Sequence, residues 1–368
     1  MKLNFTYTTN IIKYLMQIEK YKTALEYLML PTRTKQKLMY EAKLKRTHFS
    51  TSIEGNVLSY NQVEKVVQNK SDSKRLSAEQ EVQNYWDALT FLEESSKLKR
   101  KIDLDFIFDL HNIIEKKSKI KHIGFREPTP PGVIFAVYDS ITRKPEYIPP
   151  QASEVKELVE ELVEWYYANY NLPTPIKAAI IHYAFVTIHP FSDGNGRTAR
   201  ALSTYVLMLE EYDFKGCNSL EEFYMSDLNG YYSTLQMDLP VLYYEGREEP
   251  PHLEIWIEYF CKIMALNSER IYEQAKEASR KEENEFLTNL SKKDITLIRY
   301  CLENKIEKIK TKELSTLFGV TTRAISKWAV EWVEKGILEP TTGTERITSY
   351  KLSNKYKSLK ISSIGFVE

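Results

Sequence analysis

The residues best suited to chemistry lie together in one segment, residues 189–200, here called the motif loop. Its sequence is His-Pro-Phe-Ser-Asp-Gly-Asn-Gly-Arg-Thr-Ala-Arg. A histidine can act as a general base near neutral pH, and a carboxylate such as that of Asp193 can hold a metal ion. Arg197 and Arg200 add fork-shaped cationic donors that suit phosphate oxygens. The loop therefore predicts a polyphosphate site next to a base.

Two helices should hold the motif loop between them. An apolar run over residues 178–188 leads into the loop, Pro190 and the Asp-Gly-Asn-Gly cluster interrupt it, and helical periodicity resumes at Thr198. Backbone N–H groups at the start of the second helix are unpaired and favour an anion, and glycine lets that anion approach closely. The predicted donors are those of Gly194, Asn195 and Gly196.

Each of these residues also has an ordinary explanation. A histidine can be a satisfied core residue, Asp-Gly and Asn-Gly are turn dipeptides, and arginines on a helix are usually solvated. These explanations would have to coincide within twelve residues, and cations at a helix start oppose the dipole unless an anion is present. The motif loop is therefore better explained by function.

The motif loop matches throughout the pattern His-Pro-Phe-x-Asp/Glu-Gly-Asn-Gly-Arg-x-x-Arg. In this the chain resembles the Fic family, whose members mostly transfer AMP from ATP to a protein hydroxyl. The resemblance implies that His189 is the general base for a Tyr, Thr or Ser hydroxyl and that Asp193 holds Mg²⁺. It also implies a phosphate site made of Asp193, Gly194, Asn195, Gly196, Arg197 and Arg200. The predicted function is protein adenylyltransferase, with ATP as co-substrate and a protein as target.

A second motif, Ser-Thr-Ser-Ile-Glu-Gly at residues 50–55, ends a helix predicted from Arg33, with Gly55 as its stop. Ser50 and Glu54 are four residues apart and share a face. A carboxylate at a helix C-terminus opposes the dipole, so an arginine partner would explain it. The motif resembles the family's inhibitory motif, which implies that Glu54 pairs with Arg200 and takes the γ-phosphate position. Some relatives use this glutamate to remove AMP, so de-AMPylation remains open.

A third segment, residues 124–150, is rich in proline and glycine and contains a strand-like stretch at 133–138 with a turn at 143–145. It resembles the family's flap, a β-hairpin that takes up the target as an added strand. The resemblance implies that Gly132, Val133 and Ile134 face the target. Tyr231 and Tyr232 resemble the family's adenine-side pair, although the chain contains 25 tyrosines.

Composition limits the class of protein. The chain has 368 residues, is 42% hydrophobic and carries equal numbers of acidic and basic residues, which suits several mainly α-helical domains. Its three cysteines, Cys217, Cys261 and Cys301, are widely spaced, which argues against a zinc site or a disulfide framework. The sequence has no apolar run of about 18 residues, so we expect a cytoplasmic protein without a membrane span.

The predicted organisation has four parts. They are an N-terminal helical region at 1–95 with the inhibitory motif, a helical Fic core at 96–270 with its β-hairpin flap, a helical connector at 271–290, and a winged helix-turn-helix at 291–368. The last part carries 15 lysines and arginines against 9 acidic residues, whereas the first 290 residues carry 36 against 42. This asymmetry indicates a separate module.

The partner of the predicted winged helix is open. Its third helix, predicted over 322–335, would enter a DNA major groove through Thr321, Thr322, Arg323, Ser326 and Lys327. Winged helices also dock proteins, and Trp328, Trp332, Glu331 and Glu334 on the same helix would disfavour phosphates. The resemblance also allows a homodimer.

Two other functions compete with AMP transfer. One is a DNA-binding regulator that only senses nucleotide, and the other is a phosphorylating variant of the same fold. His189 argues against a sensor, because sensing requires phosphate contacts but no base. The complete glycine and arginine set up to Arg200 favours nucleotidyl transfer over phosphorylation.

Overall fold

The computed structural model describes residues 2–28, 30–69, 77–117, 124–138, 145–240, 249–288, 290–341 and 349–357, with the backbone alone over 281–288. The chain divides into two compact units, residues 1–279 and 280–368. Within the ranges given above, no helix is both long enough and apolar enough to cross a membrane.

The first unit is built from helices, as predicted. They are α1 (Thr9–Tyr27), α2 (Thr32–Ile53), α3 (Tyr60–Gln68), α4 (Ser77–Lys97), α5 (Leu104–Ile114), α6 (Val155–Ala168), α7 (Thr174–Ile188), α8 (Asn195–Leu209), α9 (Glu221–Ser226), α10 (Leu228–Gln236) and α11 (Leu253–Thr288). Helix α11 continues past the end of this unit. The predicted border between core and connector, at residues 270 and 271, falls inside α11.

Helix α7 lies at the centre of the core, and the motif loop joins it to α8. Every residue of α7 except Val186 is buried, and a helix that is apolar on all sides belongs in the interior. Helix α7 packs on α6 and α8, while α8 also contacts α2, α4 and α5. The motif loop is therefore held by the most buried part of the unit.

The flap segment contains a short antiparallel pair, β1 (Val137–Tyr138) and β2 (Pro145–Tyr147), with Val137 opposite Tyr147. The prediction of a strand from residue 133 is wrong for 133–136. A turn precedes this stretch, because the Val133 N–H donates to the Pro130 carbonyl at 3.0 Å. The turn predicted at 143–145 involves Arg143 and Lys144, which lie outside the described residues.

The second unit has its own core of three helices and a small sheet. Its elements are α12 (Lys292–Glu303), β3 (Ile309–Lys310), α13 (Thr311–Phe318), α14 (Thr322–Glu334), β4 (Leu338–Pro340), β5 (Ser349–Leu352) and α15 (Asn354–Lys357). The strands are antiparallel in the order β3-β5-β4. Strand β3 was not predicted, because two residues carry no periodicity. The sequence Thr-Thr-Gly-Thr at residues 341–344 predicts the tip of the wing, and most of it lies outside the described residues, which exclude 342–348.

Candidate active site

His189 follows the last turn of α7 with a left-handed backbone, φ 52° and ψ 58°. Its N–H still donates to the Phe185 carbonyl at 3.0 Å, which ends the helix. The ring Nδ1 lies 3.2 Å from the Val186 carbonyl oxygen, which can only accept, so Nδ1 carries the hydrogen. Nε2 is then the nitrogen that can take up a proton.

The pKa of the His189 ring is lowered to about 4. Burial is the main cause because it disfavours the imidazolium, and the positive charge of Arg126 acts in the same direction. The Val186 carbonyl and the carboxylates of Glu54 and Asp193 oppose the shift. At neutral pH the imidazole is therefore uncharged, as a general base must be.

Phe191 and Asn195 fix the shape of the motif loop. The Phe191 ring is buried and stacks on His111, with ring centroids 3.6 Å apart and planes 12° apart. The Asn195 side chain accepts from the Phe191 N–H at 2.9 Å and donates to the Phe191 carbonyl at 2.8 Å. Asn195 therefore holds the loop with its side chain, and an anion would meet its backbone.

The two glycines of the loop both lie against carboxylates of the protein. Gly194 is left-handed at φ 75°, and a Cβ on it would lie 2.4 Å from Glu115 Oε1. A Cβ on Gly196 would lie 2.3 Å from Glu54 Oε1 and 3.2 Å from Arg200 Nη1. A side chain at either position would displace these glutamates, and at Gly194 it would also adopt a strained left-handed backbone. Glu54 and Glu115 thus supply negative charge at the helix start, where an anion was predicted.

Arg200 is buried and held by Ser50 and Glu54 of the second motif. Its Nε donates to Ser50 Oγ at 2.9 Å, and its Nη2 donates to the Ser50 carbonyl at 3.0 Å and to Glu54 Oε1 at 2.7 Å. The contact between Glu54 and Arg200 that the sequence predicted is therefore present, and Gly55 ends the helix at φ 91° as expected.

The charges of this pair stabilise each other. Burial alone would raise the pKa of Glu54, but the attraction of Arg200 and then Arg197 outweighs burial and lowers it. Burial likewise disfavours the charge of Arg200, and Glu54 overcomes this and raises the pKa of the guanidinium. The Glu54 side chain nevertheless remains 31% exposed.

Arg197 has different partners from Arg200. Its Nη1 lies 2.6 Å from Glu81 Oε1, and its Nη2 lies 2.9 Å from Glu115 Oε1 and 3.7 Å from Asp193 Oδ1. Sequence reasoning missed Glu81 and Glu115, which come from α4 and from the end of α5. No spacing rule links either residue to the motif loop, so no local signal could have found them.

Asp193 is the most exposed acidic side chain of this group, at 62%. Its Oδ1 accepts from the Gly194 N–H at 2.6 Å. Among the described residues, no group of three or more His, Cys, Asp or Glu side chains could hold a metal ion by themselves.

The structure separates the two tyrosines predicted on the adenine side. Tyr231 is buried and its hydroxyl lies 2.9 Å from His182 Nε2, within an aromatic group that includes Tyr224 and Trp256. Tyr232 remains 48% exposed. Of the two, Tyr232 is the one that presents its ring to solvent.

The flap segment reaches the motif loop through Arg126 and Phe135, neither of which was singled out from the sequence. Arg126 Nε donates to the His189 carbonyl at 2.9 Å, and its guanidinium lies 4.8 Å from the centre of the Phe135 ring. The Phe135 ring centre lies 6.2 Å from that of His189. Gly132, Val133 and Ile134, just before Phe135, are exposed.

Comparison with known proteins identifies the class of this site. Residues 101–207 match the model of the Fic/DOC family, so the chain contains a Fic domain. The matched region includes α7, most of α8 and the entire motif loop.

Relatives of known name agree with this class. The chain is similar to protein adenylyltransferase fic-1 of Caenorhabditis elegans, with 31% identity over 179 residues that make up 47% of this chain and 33% of that protein. It is also similar to protein adenylyltransferase Fic of Culex quinquefasciatus, with 28% identity over 214 residues, 56% of this chain and 41% of that protein. The matches therefore span well under half the length of these relatives.

Solved structures share the fold. A Fic family protein from Desulfovibrio desulfuricans aligns with 95% of this chain and 98% of its own, with a TM-score of 0.58 and 19% identity. A Fic domain containing signaling protein from Bacteroides thetaiotaomicron aligns with 72% of this chain and 98% of its own, with a TM-score of 0.57 and 20% identity.

Proposed function

We propose that this chain transfers AMP from ATP to a hydroxyl group of a protein, and that Glu54 restrains the reaction. One observation carries the proposal. An uncharged His189 lies on the same twelve-residue loop as two arginines and a glycine-flanked helix start. The matched relatives named protein adenylyltransferase support the same reaction.

The reaction follows from the chemistry of these groups. His189 Nε2 takes the proton of a Tyr, Thr or Ser hydroxyl, and the hydroxyl oxygen attacks the α-phosphorus of ATP. A bond forms between that oxygen and the α-phosphorus, and the bond from the α-phosphorus to the bridging oxygen breaks. Pyrophosphate leaves with that oxygen, and the proton remains on His189 until solvent removes it.

The phosphates would bind at the start of α8. The backbone N–H groups of Gly194, Asn195 and Gly196 lie at its positive end, and Arg197 and Arg200 project from its first turns. We assign Arg197 to the β-phosphate and Arg200 to the γ-phosphate. Both arginines are held by carboxylates of the chain, so productive binding requires exchange of these partners for phosphate.

The acidic residue of the loop fits Mg²⁺. This ion typically takes one or two carboxylates and completes its shell with substrate phosphates and water. Asp193 offers one exposed carboxylate, and the described residues supply no larger ligand group. When bound, Mg²⁺ would neutralise phosphate charge, with Asp193 as its protein ligand.

Glu54 would act as the brake on this reaction. Its carboxylate lies against Gly196 and pairs with Arg200, where we place the γ-phosphate. A γ-phosphate placed there would compete with the Glu54 carboxylate for the same donor of Arg200. ATP therefore binds unproductively until Glu54 moves away.

The remaining site residues concern the base and the target. We place the adenine beside the exposed ring of Tyr232, with Tyr231 beneath it as support. We place the target along Gly132, Val133 and Ile134, where it would add to the flap as an extended strand. The position of Phe135 beside His189 supports this placement.

Auto-modification with labelled ATP tests the proposal. The Glu54→Gly variant should label itself far more strongly than the wild-type chain, and mass spectrometry should show added AMP. Added phosphate would identify a kinase, and no added group would identify a nucleotide sensor. The double variant Glu54→Gly/His189→Ala should bind ATP without labelling itself. Equal labelling of the wild-type chain and the Glu54→Gly variant would contradict the proposed restraint by Glu54.

We infer a second candidate function, binding of duplex DNA by a winged helix in the second unit. Its three helices and the strand order β3-β5-β4 support this fold. Trp332 of α14 is buried and donates to Asp294 at 2.8 Å, while Trp328 packs on Phe318. The tryptophans therefore do not obstruct the exposed first turns of α14.

The exposed residues on those first turns are polar or basic, namely Thr321, Thr322, Arg323, Ser326 and Lys327. DNA binding through several phosphates weakens steeply as salt rises. A mobility-shift experiment at two salt concentrations should therefore show binding at low salt that Arg323→Gln reduces. The absence of a shift at low salt would favour a protein partner.

A further inference from the structure

Arg126 is a buried arginine that the proposed reaction does not yet use. Its backbone N–H donates to the Pro190 carbonyl at 2.9 Å, and its Nε donates to the His189 carbonyl at 2.9 Å. Its Nη2 donates to the Pro150 carbonyl at the end of the flap segment. One residue thus binds two successive carbonyls of the motif loop and one carbonyl of the flap segment.

The His189 backbone needs such support. A residue with a Cβ rarely adopts φ 52°, and such a conformation persists only where its surroundings fix it. Arg126 fixes the two carbonyls at this position, that of Pro190 through its backbone N–H and that of His189 through its guanidinium. A planar guanidinium loses less side-chain entropy per hydrogen bond than an ammonium does.

The guanidinium also connects the base with the flap segment. The Phe135 ring lies over it at 4.8 Å and approaches the His189 ring at 6.2 Å. Phe135 follows directly after the exposed residues Val133 and Ile134. Arg126 therefore sets the position of the flap segment relative to the base.

We propose that Arg126 is a positioning residue for AMP transfer, which holds the His189 backbone and aligns the flap segment with the base through Phe135. This inference rests on the proposed function. In it Arg126 does not touch ATP or the target hydroxyl, and it acts through His189 and the flap segment.

The charge of Arg126 gives the inference a second consequence. The charged side chains that act on the His189 ring are Arg126, Glu54 and Asp193, and Arg126 is the cation among them. Removing this cation should raise the pKa of His189. A purely structural role for Arg126 would not require that change.

Two substitutions separate geometry from charge, both made in the Glu54→Gly background. Arg126→Lys keeps the positive charge but loses the planar guanidinium with its several N–H donors, and Arg126→Gln loses both the charge and the guanidinium. We expect the kcat of auto-modification to fall about 100-fold in both variants, since a displacement near 1 Å at a reacting group can cost that much. The KM for ATP should change less than about twofold, because the phosphate contacts remain.

The pKa of the His189 ring is measured separately by NMR of the full chain, which has six histidines. Glu54 raises the His189 pKa, so we expect the Glu54→Gly parent to lie no higher than the value of about 4 in the wild-type chain, with a similar value in Arg126→Lys and a raised value in Arg126→Gln. Unchanged kcat in both variants, or an unmoved His189 pKa in Arg126→Gln, would overturn the inference. If the Glu54→Gly parent transfers no AMP, the proposed reaction fails, and the NMR result still tests separately whether the charge of Arg126 acts on the His189 ring.

Two further variants guard against simple unfolding. Arg100→Gln makes the same change at an arginine that packs on Phe91 and Phe106 and pairs with Asp109, and it should leave kcat and the His189 pKa unchanged. Phe135→Leu keeps Arg126 intact and should lower kcat several-fold without moving the His189 pKa. An unchanged kcat in Phe135→Leu would contradict the alignment of the flap segment.

Discussion

The two ends of the motif loop are held by groups of opposite charge. At the His189 end, a guanidinium and backbone carbonyls fix an uncharged imidazole. At the arginine end, carboxylates from α2, α4 and α5 occupy both cations. The base end is thus arranged for reaction, whereas the phosphate end is filled by the protein's own anions. Under the proposed function, access of phosphate, rather than assembly of the base, would control this site.

Among the predictions for the two ends of the loop, loss of the base at His189 should change the rate of AMP transfer most. In the Glu54→Gly background, we expect His189→Ala to lower AMP transfer by a factor of about 100 to 10,000, the usual contribution of general base catalysis. ATP affinity, measured by calorimetry, should remain within about twofold. Substantial residual transfer would show that another group removes the proton.

Removal of the Glu54 charge should have the next largest effect. Glu54→Gln keeps the volume against Gly196 but loses the ion pair with Arg200, so we expect auto-modification to rise at least tenfold, a bias of about 1.4 kcal/mol. Ser50→Ala removes only the hydroxyl contact and should give a smaller rise. If Glu54→Gln behaves like wild type while Glu54→Gly is active, bulk and not charge restrains the site.

Glu115 allows a test of the role of Arg197, its partner in the motif loop. In the Glu54→Gln background, Glu115→Gln removes one negative charge beside Gly194 and one partner of Arg197. We expect the KM for ATP to fall a few-fold, because less repulsion opposes the phosphates, and the effect should shrink as salt rises. A raised KM would show that Glu115 instead prepares Arg197 for phosphate.

The pH dependence should give the smallest change near neutrality. The acid limb of kcat/KM reports the free enzyme, so it should lie near pH 4, where His189 takes up a proton. The limb of kcat should lie at higher pH, because the bound triphosphate stabilises the imidazolium. A kcat/KM limb near pH 6.5 would show an unperturbed base.

Folding stability has a related pH dependence. The pKa values of His48, His111, His182 and His189 are all lowered, chiefly by burial. Below pH 6.5 the unfolded chain therefore binds protons that the folded chain does not. The free energy of unfolding should decrease as pH falls from 6.5 toward 4, as chemical denaturation can measure.

Sequence predicted those parts of the site that local patterns encode. The motif loop, the C-terminal stop at Gly55 and the third helix of the second unit, predicted over 322–335, all follow from capping, periodicity and turn residues. The ion pair between Glu54 and Arg200 was expected from the resemblance rather than from spacing, because 146 residues separate the two.

The rest could not be predicted because it depends on packing between distant helices. Glu81 and Glu115 reach Arg197 only because α4 and α5 pack beside α8. The short flap strand reflects a local hydrogen bond at Val133 that competes with extension. The contacts of Arg126 could not be predicted either, because His189, Pro150 and Phe135 meet at its guanidinium from separate places in the sequence.

The place of the second motif on α2 has a mechanical consequence. Ser50 lies within the helix, whereas Glu54 follows its last turn, where fraying costs least. Release of the Glu54 cap alone would withdraw its carboxylate while Ser50, at the start of the last turn, still holds Arg200 through two hydrogen bonds. Under the proposed function, activation would therefore leave the phosphate site intact, because Glu54 releases Arg200 while Ser50 keeps the guanidinium in place.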